Sequence, residues 1–356
     1  MSLLFVDGFD HYVTADLTKK WHILASTGSS GATITAAAGR NGSGALTNNG
    51  STASSNSWIS RTFPPAASWV IGFAFKFSGS VATPLIIAAL TDAGTTQCDL
   101  RLNADSTLSV TRNGTALTSG TSATALSSGI WYYIEWKITI ANSISAGSCK
   151  VRVNGSDVIT VATSQDTQNT ANATASQLKL GIQTTNSSTS ILQFYDDVYV
   201  CDSVDSGIAG VPNNDFLGDV RAEAILPNGA GNTTGMTPST GSNYTCVDDT
   251  TPNDDTDYVS SSVATTKDTY AFANLTTSPV TIFGVQTVLT QRKDDAGHRF
   301  TCPVTRTGAT DYDGSNYAVL DSYSMDCQVR QSNPNTSAAW TEAGVNGAEF
   351  GMKVVS

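Results

Sequence analysis

Short segments in which apolar residues recur with a period of two place the strongest constraint on the fold of this chain. The clearest is WYYIEWKITI at 131–140, whose alternate residues would lie on opposite faces of an extended strand. Asn113-Gly114 and Asn154-Gly155 follow or precede such segments and are typical of tight hairpins, because both residue types tolerate a positive φ. The pattern therefore predicts an antiparallel, all-β fold. Similar segments occur at 69–77, 85–90, 149–153 and 194–200.

Helical signals are few. Thr14–Trp21 and Ser337–Phe350 are the two predicted helices, and the second is weakened by Gly344 and Gly347. The polar stretch 232–257 predicts a loop. Further strands are predicted at Val220–Leu226, Thr269–Ala273, Val280–Leu289, Tyr317–Leu320 and Gly351–Val355.

Length and charge predict two domains. The chain has 356 residues, more than the roughly 150 of a typical domain. Residues 1–210 carry 13 acidic and 11 basic side chains, whereas 211–356 carry 17 and 8, so the two parts differ in surface chemistry. A Ser-, Gly-, Pro- and Asn-rich stretch lies between them. We predict a first domain at 1–206, a linker at 207–214 and a smaller β-sandwich domain at 215–356.

The charge also limits the partners. A net charge of −11 argues against a nucleic-acid partner, because no cationic surface is available to displace counterions from phosphates. No apolar run approaches the roughly 20 residues that span a bilayer, so membrane insertion is not expected. The first residues lack a basic region, which argues against a secretory signal and predicts synthesis in a cytoplasm.

The six cysteines form no C-x-x-C pair, which argues against zinc-ribbon and thioredoxin-like sites. Buried free thiols are the favoured interpretation, and cross-links between subunits are the alternative.

The order of segments in the first half resembles the concanavalin A-like, or laminin G-like, jelly roll. Asp7-Gly8-Phe9-Asp10 opens the domain, and the glycine-rich residues 39–46 look like that family's entry to an early strand. The 131–140 strand, the hairpin at 151–155 and the closing strand at 195–200 complete the resemblance, which covers about residues 1–203. It implies an N-terminal jelly-roll sandwich.

Other segments resemble structural proteins of tailed-bacteriophage particles. The opening LFVDGFDHY at 4–12 is similar to the start of many uncharacterised virion proteins. Segments 218–223, 252–259 and 340–346 look like parts of the same class. This resemblance implies a virion location after synthesis in the host bacterial cytoplasm, with other virion proteins and further copies of the chain as partners.

The sequence offers no evident catalytic centre. His11, His22 and His298 show no metal-ligand spacing, and no G-x-S-x-G motif is present. Glycosidases use paired carboxylates, but Glu135 is the only glutamate of the first half and has no partner carboxylate within five residues. We therefore expect a protein that is not an enzyme.

Calcium is the candidate ligand, and no other cofactor is predicted. Asp7, Asp10, Asp196 and Asp197 lie on the first and last predicted strands, which would run side by side, and carboxylates suit this ion. Adjacent Asp196 and Asp197 would point to opposite faces unless a bulge intervenes. Aspartates that only cap and stabilise turns are the favoured interpretation.

The aromatic residues of the 131–140 segment separate into two faces. Ile134, Trp136 and Ile138 predict a core face, whereas Trp131 and Tyr133 share the face of Glu135. Trp131 and Tyr133 are candidates for stacking on a sugar, and packing against another domain or subunit is the alternative.

Two functions follow from these interpretations. The leading hypothesis is a non-enzymatic structural component of a tailed-phage particle, in a head-decoration, neck, tail or fibre position, acting through protein–protein contacts. The alternative is a carbohydrate-binding module that attaches the tail to a host-surface glycan.

Overall fold

The computed structural model describes residues 2–26, 31–50, 56–142, 146–183 and 191–356. The chain divides into two compact units. The first contains residues 1–204 and 213–222, and the second contains 205–212 and 223–356. The predicted linker at 207–214 is therefore shared between the two units, and a short segment beyond it belongs to the first.

The first unit is built from two antiparallel sheets. Sheet A has the order β13-β12-β11-β6-β15-β4-β3, with β1 also paired to β15, and sheet B has the order β10-β9-β8-β7-β14-β5-β2. A 3₁₀ turn at Thr14–Asp16 and helix α1 at Leu17–Lys20 confirm the first predicted helix. A second 3₁₀ turn spans Arg40–Gly42. The strands are β1 (Leu3–Asp7), β2 (Ile23–Ser26), β3 (Ala32–Thr35), β4 (Ala45–Gly50), β5 (Asn56–Ala66), β6 (Ser68–Gly79), β7 (Leu85–Asp92), β8 (Thr95–Leu102), β9 (Thr107–Arg112), β10 (Thr115–Ala125), β11 (Tyr132–Thr139), β12 (Gly147–Val153), β13 (Ser156–Gln165), β14 (Ala175–Gln183) and β15 (Ile191–Cys201).

The two sheets pack face to face and enclose the core of the first unit. Ile134, Trp136 and Ile138 are buried there, as the alternation of β11 predicted. Tyr195 of sheet A donates a hydrogen bond across the core to the carbonyl of Ile87 in sheet B, at 2.8 Å. The all-β, jelly-roll architecture predicted from the sequence is thus confirmed. The opposite side of sheet A, which bears Glu135, is called the outer face below.

Both predicted Asn-Gly hairpins are present. Asn113 and Gly114 have φ values of 43° and 89° between β9 and β10. Asn154 and Gly155 have φ values of 49° and 78° between β12 and β13. Positive φ at both central positions matches the right-handed twist of the flanking strands, which explains the choice of these residues.

The second unit is also antiparallel and β-rich. Its main sheet has the order β16-β19-β25-β21-β22, with β23 paired to β21, and β17-β18 and β20-β24 form two-stranded sheets. Trp340, Val345, Ala348 and Phe350 form a small core cluster. The strands are β16 (Pro227–Thr234), β17 (Thr237–Pro238), β18 (Val259–Ser260), β19 (Lys267–Phe272), β20 (Val285–Gln291), β21 (Phe300–Thr307), β22 (Thr310–Asp313), β23 (Tyr317–Ala318), β24 (Ser324–Arg330) and β25 (Glu349–Val354).

Three sequence predictions in this part need correction. The stretch 232–257, predicted to be a loop, contains the end of β16, the short strand β17 and a 3₁₀ turn at Asn243–Cys246. The strand predicted at Val220–Leu226 is wrong, because these residues lie in no strand and 220–222 instead belong to the first unit. The second predicted helix is shorter than its pattern suggested. Helix α2 covers only Glu342–Asn346. The Thr341 side chain caps its first turn by accepting a hydrogen bond from the Gly344 amide, and the helix ends at Gly347.

Asp268 organises the loop that follows β16. Its carboxylate is completely buried and accepts hydrogen bonds from the backbone amides of Gly235 and Met236 at 2.6 and 2.8 Å. The Asn243 side chain and the Tyr270 hydroxyl also donate to it. A buried carboxylate is tolerated here because four donors satisfy it.

All six cysteines are free thiols, as the favoured interpretation of the sequence proposed. Five are buried and Cys327 is partly exposed. Burial raises the pKa of the Cys149 thiol to about 12. Within the described residues, no helix is long and apolar enough to cross a membrane.

A buried ion pair ties β1 to α1. Lys20 Nζ lies 2.8 Å from Asp7 Oδ1, and both side chains are fully buried. Tyr12 and Trp21 donate to the other oxygen of Asp7, at 2.7 and 2.8 Å. Burial alone would raise the pKa of Asp7, but the charge of Lys20 and the hydrogen bonds from Lys20 and Tyr12 outweigh it, so the pKa is lowered.

We expect Lys20→Met to lower the free energy of unfolding by about 3 kcal/mol, because it leaves a buried carboxylate without its cation. Lys150→Met is the matched control, since Lys150 pairs with Asp157 on the surface and its loss should cost below about 1 kcal/mol. Denaturant unfolding at neutral pH measures both. The difference in the free energy of unfolding between wild type and Lys20→Met should become smaller as the pH falls below roughly 4, because protonation of Asp7 then removes the ion pair from wild type as well. Equal decreases in the free energy of unfolding in the two variants would contradict a stabilising role for the buried Lys20–Asp7 ion pair.

Candidate functional site

The outer face of sheet A carries three rows of side chains, defined by the register of β11, β6 and β15. The pairings Tyr133–Ala74–Asp196 and Glu135–Gly72–Tyr199 form the second and third rows. The first row consists of Trp131, Lys76 and Phe194: Phe194 pairs with Lys76, and Trp131 directly precedes β11. Neighbouring rows are about 6.7 Å apart, because each strand advances two residues between them.

The first row is open to solvent. Lys76 Nζ lies 4.7 Å from the ring centroid of Trp131 and 4.5 Å from that of Phe194, and all three side chains are partly exposed. An ammonium group at these distances is attracted to the faces of both rings. Burial lowers the pKa of Lys76. Trp131 was a sugar-stacking candidate in the sequence, whereas Lys76 and Phe194 were not identified.

The second and third rows are covered by residues 213–222, called the cover segment below. This segment lies outside all helices and strands. Three of its backbone amides donate hydrogen bonds to the face: Leu217 to the Tyr199 hydroxyl at 3.2 Å, Gly218 to Glu135 Oε1 at 2.8 Å and Ala222 to Asp197 Oδ1 at 2.8 Å.

Charged side chains add to these contacts. Lys137 Nζ lies 3.1 Å from Asp215 of the cover segment, and the Arg152 guanidinium lies 4.3 Å from the ring centroid of Phe216. Arg40 pairs with Asp219 and donates to the carbonyl of Val220. The cover segment thus places two carboxylates against two cations of the face.

Tyr133 lies beneath this cover. Its side chain is only 2% exposed, and its hydroxyl donates to the carbonyl of Asp197 at 3.0 Å. The Arg40 guanidinium carbon lies 5.2 Å from its ring centroid. Burial, reinforced by Asp197 and Glu135, raises the pKa of Tyr133. Of the two residues predicted to stack on a sugar, Trp131 is partly exposed to solvent in this arrangement and Tyr133 is not.

Glu135 is buried at the centre of the third row. Its Oε1 accepts a 2.6 Å hydrogen bond from the Tyr199 hydroxyl, but Oε2 has no partner among the described residues. Burial, together with the nearby Tyr133 and Glu135, raises the pKa of Tyr199. A β-carbon at Gly72 would lie 2.0 Å from the Tyr199 ring, so only glycine permits this ring to cross β6.

The four candidate calcium residues are bound by different partners. Asp7 lies in the ion pair with Lys20 described above. Asp10 accepts a hydrogen bond from the Gly44 amide at 2.7 Å, and burial raises its pKa to about 6. Asp196 accepts from the Arg40 amide at 2.7 Å and from the Ser43 hydroxyl at 2.9 Å.

A bulge in β15 brings Asp196 and Asp197 to the same neighbour. The register shifts between Asp196 and Tyr199, and Asp197 has a φ of 49°. Asp197 Oδ2 consequently lies 2.7 Å from the guanidinium group of Arg40, and the backbone amide of the same arginine donates to Asp196. Within the described parts of the chain, no three His, Cys, Asp or Glu side chains are grouped so that they could hold a metal ion. Calcium binding stays a prediction.

The three histidines are dispersed. His11 Nε2 lies 3.2 Å from Lys20 Nζ, and burial, with the charge of Lys20, lowers its pKa to about 3. His22 accepts a hydrogen bond from the Thr62 amide, and His298 is exposed in the second unit.

Comparisons with known proteins place the chain near several solved structures. No family model and no curated protein matches it. An endo-β-1,4-glucuronan lyase from the fungus Trichoderma reesei is 17% identical, with a TM-score of 0.40, over 55% of this chain and 94% of the lyase. A cellulose-induced protein is 13% identical, with a TM-score of 0.41, over 56% of this chain and 97% of that protein. An alginate lyase is 11% identical, with a TM-score of 0.38, over 55% and 95%. Similarity at this level concerns the β-sandwich alone.

These matches correct one expectation. The chain was expected not to be an enzyme, and its structural similarity to polysaccharide lyases contradicts that expectation. That expectation was based only on histidine-dependent nucleophiles, metal motifs and the carboxylate pairs of glycosidases. The lack of those motifs therefore does not exclude catalysis.

Asp196 should make stability depend on pH. Burial, reinforced by Asp197, raises its pKa from 3.8 to about 7 in the folded chain. Between these values the folded state binds a proton that the unfolded state has lost, so stability falls as the pH rises. We expect Asp196→Asn to remove a loss of folding stability of about 4 kcal/mol across this window, because each pKa unit corresponds to about 1.4 kcal/mol. Denaturant unfolding at several pH values, in a chelating buffer, measures it.

Asp105→Asn is the control, because Asp105 is fully exposed and hydrogen bonds from Thr107 lower its pKa. Its pH profile should follow that of wild type. If the free energy of unfolding depends on pH in the same way in wild type and in Asp196→Asn, the prediction is contradicted.

Proposed function

We propose that the outer face of sheet A binds an acidic polysaccharide, and that the open first row is its principal contact. The observation that carries this proposal is the partly exposed row in which Lys76 lies over both Trp131 and Phe194. Aromatic rings offer apolar faces to the C–H groups of a sugar ring. The ammonium group at the same place would pair with a sugar carboxylate.

The charges around the row favour acidic sugars over neutral ones. Although the chain has a net charge of −11, this face also bears Lys137, Lys150 and Arg152. Register places Arg152 beside Glu135 and Lys150 beside Lys137 on β12, next to β11. Lys137, Lys150 and Arg152 are paired with Asp215 and Asp157, whereas Lys76 forms no ion pair with any described residue, so its ammonium group is the cation that attracts an anionic ligand to the row.

Trp131→Ala and Lys76→Gln should each weaken binding of uronate-containing oligosaccharides by about ten-fold, through loss of ring contact and of charge respectively. Trp58→Ala is the matched control, because Lys179 lies 4.5 Å from the Trp58 ring centroid on sheet B. Calorimetric titration with acidic and neutral oligosaccharides measures the affinities. Absence of saturable binding by wild type, or an equal loss in the control, would contradict the proposal.

The same samples report on turnover. Appearance of shortened or unsaturated products shows cleavage, and Glu135→Gln tests whether the buried carboxylate takes part. Binding without products would leave the polysaccharide-binding proposal intact.

A second candidate is a structural role in a tailed-phage particle, together with other copies of the chain and other virion proteins. Five large apolar side chains are exposed on the second unit, and contact with a partner would remove them from water. Fixed stoichiometry in purified particles would support this role, and absence from them would contradict it. These side chains are Tyr258, Val263, Val280, Phe300 and Leu320.

A further inference from the structure

We propose that the cover segment is a displaceable occupant of the polysaccharide-binding face, held where the acidic ligand would lie when it extends from the first row into the second and third. This inference rests on the proposed function and adds a covered half to the site. The carboxylates of Asp215 and Asp219 then stand in for two carboxylates of the ligand, because each pairs with a cation of the face.

The cover segment has no buried apolar anchor. Asn213 is its only fully buried residue, and Phe216 and Leu217 are partly exposed. The carboxylates of Asp215 and Asp219 are 63% and 56% exposed. Segments held by exposed ion pairs and a few hydrogen bonds, with little apolar burial, open more readily than the sheets beneath them.

The groups beneath the cover are incompletely satisfied. Glu135 is 1% exposed, yet its Oε2 accepts no hydrogen bond from any described residue. Buried polar atoms normally have a partner, so this oxygen points to a donor that the closed arrangement does not supply. A sugar hydroxyl is a donor of the required kind.

The rows give the ligand a continuous path. Trp131, Tyr133 and Glu135 follow one another at alternate positions of the chain, so the open row leads directly to the covered ones. When the cover lifts, Arg40 loses Asp219 and the Val220 carbonyl, and Lys137 loses Asp215. Lys137 and the guanidinium nitrogen that Asp219 occupied then become available to sugar carboxylates, while Arg40 keeps its pair with Asp197, so ligand and cover compete for the same donors.

The test removes only the two carboxylates of the cover, by the double substitution Asp215→Asn and Asp219→Asn. Hydrogen exchange of the Leu217, Gly218 and Ala222 amides should accelerate by about ten-fold, because these amides are protected by the face and two ion pairs are lost. High salt should accelerate the same amides in wild type by screening both pairs. Amides of β6 and β11 should not change.

Ligand length provides the second measurement. Affinity for long uronate oligosaccharides should rise in the double variant, whereas affinity for a uronate monosaccharide, which is short enough to stay within the first row, should not change. Asp166→Asn is the control, because Asp166 pairs with Arg112 of β9 in sheet B and not with a residue of the outer face of sheet A. It should alter neither the exchange of the three amides nor the preference for length.

The outcomes separate the two proposals. Two results would overturn the displaceable cover alone. In the first, hydrogen exchange of the three amides is the same in the double variant as in wild type. In the second, exchange is faster and wild type binds long oligosaccharides, but the double variant binds them no more tightly. Absence of binding by both wild type and the double variant overturns the cover and the proposed function together. Binding by the double variant alone supports the cover and overturns the open first row as the principal contact of the ligand.

Discussion

The guanidinium group of Arg40 links the parts of the outer face that no strand pairing could join. It pairs with Asp197 in the β15 bulge, lies over the Tyr133 ring and binds Asp219 and Val220 of the cover segment. Burial disfavours its charge, but Asp219 and Asp197 outweigh that cost, so its pKa is raised above its usual value. A planar, multidentate cation suits such a junction better than lysine would.

This junction divides one sheet face into two environments. The first row keeps aromatic rings and an ammonium group in contact with solvent, whereas the second and third rows are closed by ten residues of irregular chain. Gly72 and the bulge at Asp197 are local departures from regular strand geometry that the arrangement requires. The glycine admits the Tyr199 ring, and the bulge turns adjacent aspartates toward a common partner.

Much of the fold followed from local patterns. Period-two alternation predicted the core face of β11, and the Asn-Gly pairs predicted two hairpins, because both signals depend on residues close together in the chain. The site was predicted less completely. Trp131, Tyr133 and Glu135 were correctly assigned to one face, but Lys76 and Phe194 are brought to Trp131 only by strands distant in sequence.

The failed prediction at Val220–Leu226 has a similar cause. Its alternation is typical of a strand, yet 220–222 are held against sheet A by Arg40 and Asp197, which lie far earlier in the chain. The sequence by itself determined that this protein is built from antiparallel strands with defined inner and outer faces. The reason is that successive side chains of a strand point to opposite faces of the sheet, so alternating apolar and polar residues lie on different faces. Only the tertiary structure decided which part of the outer face is open and which is covered, because that depends on charge pairs between residues separated by 78 and 179 positions.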